Sequence, residues 1–531
     1  MNQPDQSDHR PAPGKNKLRR REFIRVATTG LSGLWLAGAL SPDANADPNA
    51  PRDLWIVPHD ALSPAEQAFA LTLQGLANRV RPQIWMKAGS TYQIIEDQLK
   101  QEGVRFHHAN SIWELLAQFR DVVKGAFLCR INAPSLNVAT SLCGLHDAVA
   151  LDESLMSRAQ TAKLNIIADV REWDERKAFD RYRNRFARGI LVEQTPQGAG
   201  PGFLRDYAVA HNAFTYYTTD DGFRTEAARA LGPDALAYGW GPSEYPWVKS
   251  LSLANATGVG SDWSLNLSAL QHLTAGPIIR PKRPVPPKED GVRYVAFVMT
   301  DGDNVQWLCG SFVGNERYWS SPLRGQFPFT WEVSPMLTQV APRVLKYLYF
   351  TAKDTEGFVT GAGVPGYTYI HFQPDPRSIA LQAEPFLRRA DLPFVGILNA
   401  NEGHLNETIP LLELPYVEAV LYKDYAPYNR HQGKVFWHQG KPCISFRYML
   451  WQGLMTPQQV AQGVSQMPLK PLSDENSYAL VTVHAWSFGD IGGPLEAVRR
   501  TIALLPPNTH VVTADQLVTL MKSNLSRLHM S

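Results

Sequence analysis

Two aspartates and an asparagine lie together in the segment TDGDN, residues 300–304, directly after the apolar run 294–299. A run of β-branched and aromatic residues is typical of a buried strand. Loops after the carboxyl ends of strands carry the chemistry of β/α proteins, so Asp301 and Asp303 are candidates for acid–base catalysis or for binding a metal or a sugar. We expect Gly302 to permit the sharp turn between them. The alternative is an Asx turn that only satisfies local backbone amides.

Other polar and aromatic side chains follow apolar runs in the same half of the chain. If these runs are parallel strands of one barrel, their carboxyl ends share one rim and the side chains converge on a single cleft. The catalytic candidates are Asp301, Asp303, Glu332, Glu402, Asp424 and His484. The candidates for substrate binding are Asn304, Trp307, Tyr367, Tyr369, Arg447 and Trp486.

Three kinds of function fit these residues. A glycoside hydrolase needs two carboxyl groups across the scissile bond, one protonated and one ionised. A metal-dependent deacetylase would use Asp301, Asp303 and His484 around a bound water, with His371 or His404 as alternative ligands. A non-catalytic carbohydrate-binding protein would keep the aromatic rings as stacking surfaces. The sequence requires no cofactor. It contains no Gly-x-Ser-x-Gly, and no Gly-x-Gly-x-x-Gly follows the predicted strands of the N-terminal half.

The elements that would position these residues alternate between strand and helix. In the C-terminal half the predicted strands are 294–299, 327–333, 347–350, 394–398, 417–421, 442–448, 479–483 and 510–513. Predicted helices such as 377–389 and 457–466 separate several of them. Seven or eight β/α repeats match a β/α barrel, whose usual size is about 250 residues.

The N-terminal half predicts smaller α/β units. A strand at 54–57, a helix at 63–80 that Ser63 caps, and a strand at 83–86 form a β-α-β unit. The segment 238–266 is rich in glycine and aromatic residues, which indicates either a binding loop or a connection between domains. Because 531 residues exceed one ordinary core, we predict an α/β region over 52–276, a linker with five prolines over 277–291 and a barrel-like domain over 292–525.

Composition is that of a globular protein, with 44% hydrophobic and 19% charged residues. The net charge of +2 offers no field for nucleic acid, so no nucleic-acid partner is expected. Cys129 and Cys143 lie in the N-terminal half, and Cys309 and Cys443 in the C-terminal half. One disulfide in each half is arithmetically possible, but we expect buried free thiols.

The amino terminus predicts export. The segment RRREFIR, residues 19–25, resembles the twin-arginine motif, and the apolar run 26–40 is too short for a stable membrane anchor. Ala44-Asn45-Ala46 supplies a small-x-small cleavage site. We therefore expect a signal peptide over 1–46, transient contact with the twin-arginine export machinery, and a periplasmic or secreted protein.

Four sequence segments together resemble the GxGYxYP family of putative glycoside hydrolases. They are LQGLANR at 73–79, TDGDNVQW at 300–307, GYTY at 366–369 and the stretch 441–448 from Lys-Pro to Arg-Tyr. Val364 replaces the first glycine of the naming motif, and Ile370 replaces its proline. The resemblance implies several small N-terminal α/β subdomains, then a barrel-like domain related to glycoside hydrolases and deacetylases, with a carbohydrate or glycan as substrate.

Overall fold

The computed structural model describes residues 50–198 and 200–525. The predicted signal peptide lies outside the described residues. The architecture is mixed α/β with mainly parallel sheets, as the sequence predicts. No helix among the described residues is long and apolar enough to cross a membrane.

Three small parallel sheets form the N-terminal half. The first has the strand order β2-β1-β3, the second β5-β4-β6 and the third β10-β9-β7-β8. The strands are β1 Asp53–Pro58, β2 Ile84–Lys87, β3 Arg105–His108, β4 Gly125–Cys129, β5 Ala148–Asp152, β6 Ile166–Asp169, β7 Ile190–Glu193, β8 Phe214–Tyr216, β9 Leu236–Gly239 and β10 Thr257–Gly260. The helices are α1 Pro64–Ala77, α2 Gln93–Gln101, α3 Ile112–Gln118, α4 Pro134–His146, α5 Met156–Thr161, α6 Glu175–Tyr182, α7 Arg205–Ala210, α8 Asp221–Ala230, α9 Glu244–Leu253 and α10 Leu267–Leu270.

Helix α1 begins where its capping residues predict. Ser63 and Glu66 form a reciprocal capping box, and Pro64 occupies the first turn, where its missing amide hydrogen costs nothing.

Two further sheets form the C-terminal half. One has the order β13-β12-β11-β19-β18, with β20 paired to β11, and the other has the order β14-β15-β17-β16. Only β16 and β17 pair antiparallel among the described strands of this half. The strands are β11 Arg293–Met299, β12 Phe329–Val333, β13 Glu356–Thr360, β14 Phe394–Asn399, β15 Ala419–Asp424, β16 Val435–His438, β17 Lys441–Ser445, β18 Tyr448–Leu450, β19 Tyr478–Val483 and β20 Thr509–Val511. The helices are α11 Val305–Cys309, α12 Leu337–Val340, α13 Pro342–Phe350, α14 Pro376–Ala390, α15 Ile409–Leu412, α16 Pro457–Ser465, α17 Pro494–Ile502 and α18 Ala514–Leu525.

Two strand predictions are wrong. The strand predicted at 442–448 is divided into β17 and β18, which belong to different sheets, and the strand predicted at 347–350 is helical. Residues 347–350 belong to α13, whose buried residues Val344, Leu345, Leu348 and Tyr349 repeat with the helical period. The strand that follows, β13, has the sequence EGFVT, in which the glutamate and glycine weaken the strand pattern.

The segment 277–291 contains neither helix nor strand. Arg280 fixes it to the C-terminal half, since its backbone amide donates to Asp391 and its guanidinium pairs with Asp515 at 3.0 Å. All four cysteines are buried free thiols.

Candidate functional site

The turn after β11 brings its carboxylates close to the neighbouring strand ends. Asp301, not Gly302, adopts the left-handed backbone conformation, with φ of 69°. Gly302 is needed for a different reason, because a Cβ atom there would lie 2.1 Å from the carbonyl carbon and oxygen of Glu332. Gly361, directly after β13, packs equally closely on the backbone of Asp303. The turn is therefore wedged between the ends of β12 and β13.

This close approach gives a first prediction. Gly302→Ala should lower the free energy of unfolding by about 1–3 kcal/mol and displace the two aspartates, because backbone atoms must move to admit the methyl group. Gly314→Ala is the matched control, since a Cβ there meets no atom within 4 Å. Chemical unfolding of both variants measures the difference. Equal stability of the two would contradict the proposed wedge.

Asp303 is a buried carboxyl group with 8% of its surface exposed. Burial, together with the charges of Asp301 and Glu332, raises the pKa of Asp303 to about 8. A hydrogen bond from its own backbone amide offsets this only in part. Asp303 therefore carries a proton at neutral pH, as a general acid must.

Asp301 is half-buried and accepts two hydrogen bonds. The indole nitrogen of Trp486 donates to Oδ1 at 3.0 Å, and the hydroxyl of Thr300 donates to Oδ2. Both oxygens of the Asp301 carboxyl group therefore act as acceptors. Asn304 closes the turn, with its backbone amide bonded to the carbonyl of Asp301 at 3.1 Å. The two aspartates thus have different environments: Asp303 is buried, and Asp301 accepts hydrogen bonds from two side chains.

Glu332, at the end of β12, is 3% exposed and forms a buried ion pair with Lys423 of β15. Burial raises the pKa of Glu332, while the ammonium of Lys423 opposes the shift. This pair spans the two C-terminal sheets and places a compensated charge beside Asp303.

Asp424 does not join this group. Neighbouring residues of a strand point to opposite faces, so Lys423 faces Glu332 while Asp424 faces away. Asp424 pairs instead with Arg430 at 3.0 Å, and burial raises the pKa of its carboxyl group despite that pair. A carboxyl-terminal position in a strand does not fix the face, so the expected place of Asp424 on one shared rim stays a prediction.

Arg447 also lies away from the site. Its backbone amide bonds to Leu480 in the middle of β19, and its guanidinium bonds to the carbonyl and side chain of Asn476, which precedes that strand. The side chain therefore points toward the amino end of β19, opposite to the aspartates. Glu402 is exposed and accepts a hydrogen bond from Tyr245 at 3.1 Å, which puts it at the margin of the site.

The aromatic candidates divide by burial. Trp307, Tyr367 and Tyr369 are at most 6% exposed, so these rings pack in the core and offer little surface to a ligand. Trp486 is half-buried, bonded to Asp301 and packed edge-on against Trp307. Trp451, outside the substrate-binding set above, is also half-buried. Their roles in binding sugars stay predictions.

His484 is stacked on Trp451, with ring centroids 3.6 Å apart, and its Nδ1 lies 2.7 Å from the hydroxyl of Ser487. Tyr428 also stacks on Trp451, with ring centroids 4.5 Å apart. Among the residues that the structure describes, no three His, Cys, Asp or Glu side chains are grouped to hold a metal ion, and Asp301, Asp303 and His484 form no such set. His371 bonds to Glu407 at 2.8 Å instead.

Sequence reasoning missed one acidic residue, Glu244, the first residue of α9. Its charge contributes to raising the pKa of Asp303 and of Tyr428, although it lies on the helix between β9 and β10 of the third N-terminal sheet. The hydroxyl of Tyr367 donates to Glu244 at 2.7 Å. Glu244 lies in the glycine- and aromatic-rich segment 238–266, which indicated a binding loop or a connection between domains. The sequence alone does not show which distant strand end this segment approaches.

A buried carboxyl group with a raised pKa beside one that accepts hydrogen bonds is an arrangement that hydrolases use for acid–base catalysis. Comparison with known families agrees. The chain belongs to the GxGYxYP family: residues 291–522 match the GxGYxYP putative glycoside hydrolase C-terminal domain, and residues 53–121, 123–186 and 188–272 match the first, second and third domains of its N-terminal part.

One solved structure is similar over most of its length. It is a crystal structure described as a putative hydrolase from Bacteroides thetaiotaomicron VPI-5482, with 25% sequence identity and a TM-score of 0.80. The match covers 90% of this chain and 96% of that one. No curated protein matches the sequence significantly. The family and this neighbour both support a hydrolase-like enzyme.

Proposed function

We propose that this protein hydrolyses glycosidic bonds, with Asp303 as general acid and Asp301 as the partner carboxylate. The observation that carries the proposal is the unequal surroundings of the two aspartates: Asp303 is buried beside Asp301 and Glu332, which raises its pKa to about 8, while Asp301 accepts hydrogen bonds from Trp486 and Thr300. Asp303 would donate its proton to the glycosidic oxygen as the bond to the anomeric carbon breaks. Asp301 would attack that carbon or take a proton from the attacking water.

The surrounding residues support this chemistry. The Glu332–Lys423 pair contributes a fixed negative group near Asp303 without leaving an uncompensated buried charge. The half-buried ring of Trp486 offers an apolar surface to a pyranose ring, whereas Trp451 is already stacked against His484 and Tyr428. The substrate that these features favour is a carbohydrate.

We further propose that the strands of the C-terminal half close into a barrel-like arrangement. Two sets of hydrogen bonds support this. At one margin the amide of Gly396 donates to the hydroxyl of Thr360, and at the other the amide of Phe446 donates to Tyr422 while that of Arg447 donates to Leu480. Apolar residues from β11, β13, β14, β15, β17 and β19 share one buried cluster with α18.

The test is turnover of defined glycans by the purified protein. Cellohexaose, xylohexaose, maltohexaose and chitohexaose are incubated between pH 5 and 9, and released oligosaccharides and acetate are measured separately. We expect new reducing ends from at least one glycan and none with Asp303→Asn. Acetate release from chitohexaose that a chelator abolishes would favour the deacetylase instead. Binding without any product would favour a carbohydrate-binding protein.

We also propose export by the twin-arginine route, on the strength of Arg20 and Arg21 in the motif. Arg20→Lys with Arg21→Lys should abolish export, because this route reads the guanidinium pair and not charge alone. Cell fractionation and immunoblotting of the full-length chain measure the exported share. Lys17→Arg, which adds a guanidinium outside the motif, is the control. Unchanged export of the double variant would refute the assignment.

A further inference from the structure

The third N-terminal sheet lies directly against the turn that carries the aspartates. A Cβ atom at Gly260, the last residue of β10, would lie 3.2 Å from the side-chain oxygen of Asn304. A little further along, the backbone amide of Trp263 donates to Gln306 of α11 at 3.4 Å. The carboxyl end of β10 therefore forms one wall beside the carboxyl end of β11.

The loop after β13 is hydrogen-bonded to β10 and holds it beside the turn. Tyr367 and Gly258 exchange two backbone hydrogen bonds of 2.8 and 2.7 Å, which join the loop to β10 in an antiparallel bridge. Gly366 permits this contact, because a Cβ there would lie 2.3 Å from the carbonyl oxygen of Gly258. The ring of Tyr367 is buried, and its hydroxyl reaches Glu244 at 2.7 Å.

Glu244 is half-buried at the start of α9, and its carboxylate accepts the hydrogen bond of Tyr367. Asp303 responds to the charges of Asp301, Glu332 and Glu244, and Tyr428 responds to those of Glu244 and Asp301. Glu244, on α9, thus lies within electrostatic reach of Asp303. Lys423 is held by Glu332, so it compensates that carboxylate and not Glu244.

We propose that Glu244 is a substrate-binding carboxylate of this cleft, where it accepts hydrogen bonds from sugar hydroxyls, and that Tyr367 is the positioning residue that holds it there. The cleft then lies between the third N-terminal unit and the C-terminal half, and neither alone forms the complete site. This inference rests on the proposed glycosidase function. It gives the GYxY segment a physical role, which is to dock one unit and orient its carboxylate.

Kinetics provide the first test, on the hexasaccharide that is cleaved fastest. Glu244→Gln should raise KM about tenfold and change kcat less than threefold, because a charge-assisted hydrogen bond to substrate is weakened while the proton donor remains. Tyr367→Phe should also raise KM, but by a smaller factor. Glu226→Gln is the matched control, since it removes a carboxylate from the same unit on its exposed surface, where Glu226 pairs with Arg176.

A second readout needs no substrate. Trp486 bonds to Asp301, beside Asp303, so its fluorescence should change as Asp303 titrates, and Asp303→Asn identifies that transition by removing it. Glu244→Gln should move the midpoint to lower pH, because it removes a negative charge that favours protonated Asp303. Glu226→Gln should not move it.

The outcomes separate the two proposals. The inference would be overturned if Glu244→Gln and Tyr367→Phe kept the parental KM and the parental fluorescence midpoint while Asp303→Asn was inactive. The proposed glycosidase function would then still stand. Full activity of Asp303→Asn would overturn the proposed function. In that case an unchanged fluorescence midpoint in Glu244→Gln would also remove Glu244 from the site. Circular dichroism confirms that each variant is folded.

Discussion

Asp303→Asn should lower kcat by about 10²-fold or more on any glycan that the protein hydrolyses, with little change in the native fold. The amide keeps the shape of the side chain but cannot donate the acidic proton. Asp354→Asn is the control, because that carboxyl group is fully exposed in the same half of the chain. Steady-state kinetics at pH 6 compare the variants. Parental kcat in Asp303→Asn would show that the carboxyl group has no part in catalysis.

The same substitution should change how stability depends on pH. The pKa of Asp303 is about 8 in the folded protein and 3.8 in the unfolded chain, so folding favours the protonated form. Its contribution to stability is complete below pH 3.8 and is lost as pH rises toward 8. As pH rises from 4 to 9, the free energy of unfolding of the parent should therefore fall relative to that of Asp303→Asn. A constant difference across this range would contradict the raised pKa.

Lys423→Met should destabilise the protein by about 3–5 kcal/mol, because it leaves Glu332 buried without its cation. The double variant Lys423→Met with Glu332→Leu should recover most of the loss, since no charge then remains in the interior. Lys522→Met is the control: its pair with Glu418 is partly exposed and should cost about 0–1 kcal/mol.

Urea unfolding at pH 7 measures all three lysine variants. Equal effects at Lys423 and Lys522 would show that water reaches the buried pair. A double variant as unstable as Lys423→Met alone would indicate that the lysine stem, and not its charge, is needed between β12 and β15.

The sequence predicted the elements whose signals are local. Ser63 and Glu66 mark the start of α1, and the abrupt change from apolar to acidic residues marks the end of β11. These patterns depend on neighbouring residues only. The sequence alone therefore places Asp301 and Asp303 at the end of a strand.

The sequence could not predict features that depend on long-range contacts. Asp424 and Lys423 are adjacent, and only the pairing of β15 with its neighbours decides which of them faces Glu332. Glu244 is remote in sequence from Asp303 and reaches it through the bridge between Gly258 and Tyr367. Gly302 illustrates the same limit. A glycine is required at this position because the backbone of β12 lies close to it, and not because of the dihedral angles of Gly302.

The measurement that tests the central claim most directly is the pH dependence of kcat/KM for glycan hydrolysis. If Asp303 is the general acid, the rate should fall as pH rises through about 8, where its carboxyl group loses the proton. Glu244→Gln should shift this fall to lower pH, and Glu226→Gln should leave it unchanged. A rate that stays constant or rises between pH 7 and 9.5 would contradict the assignment of Asp303 as the acid.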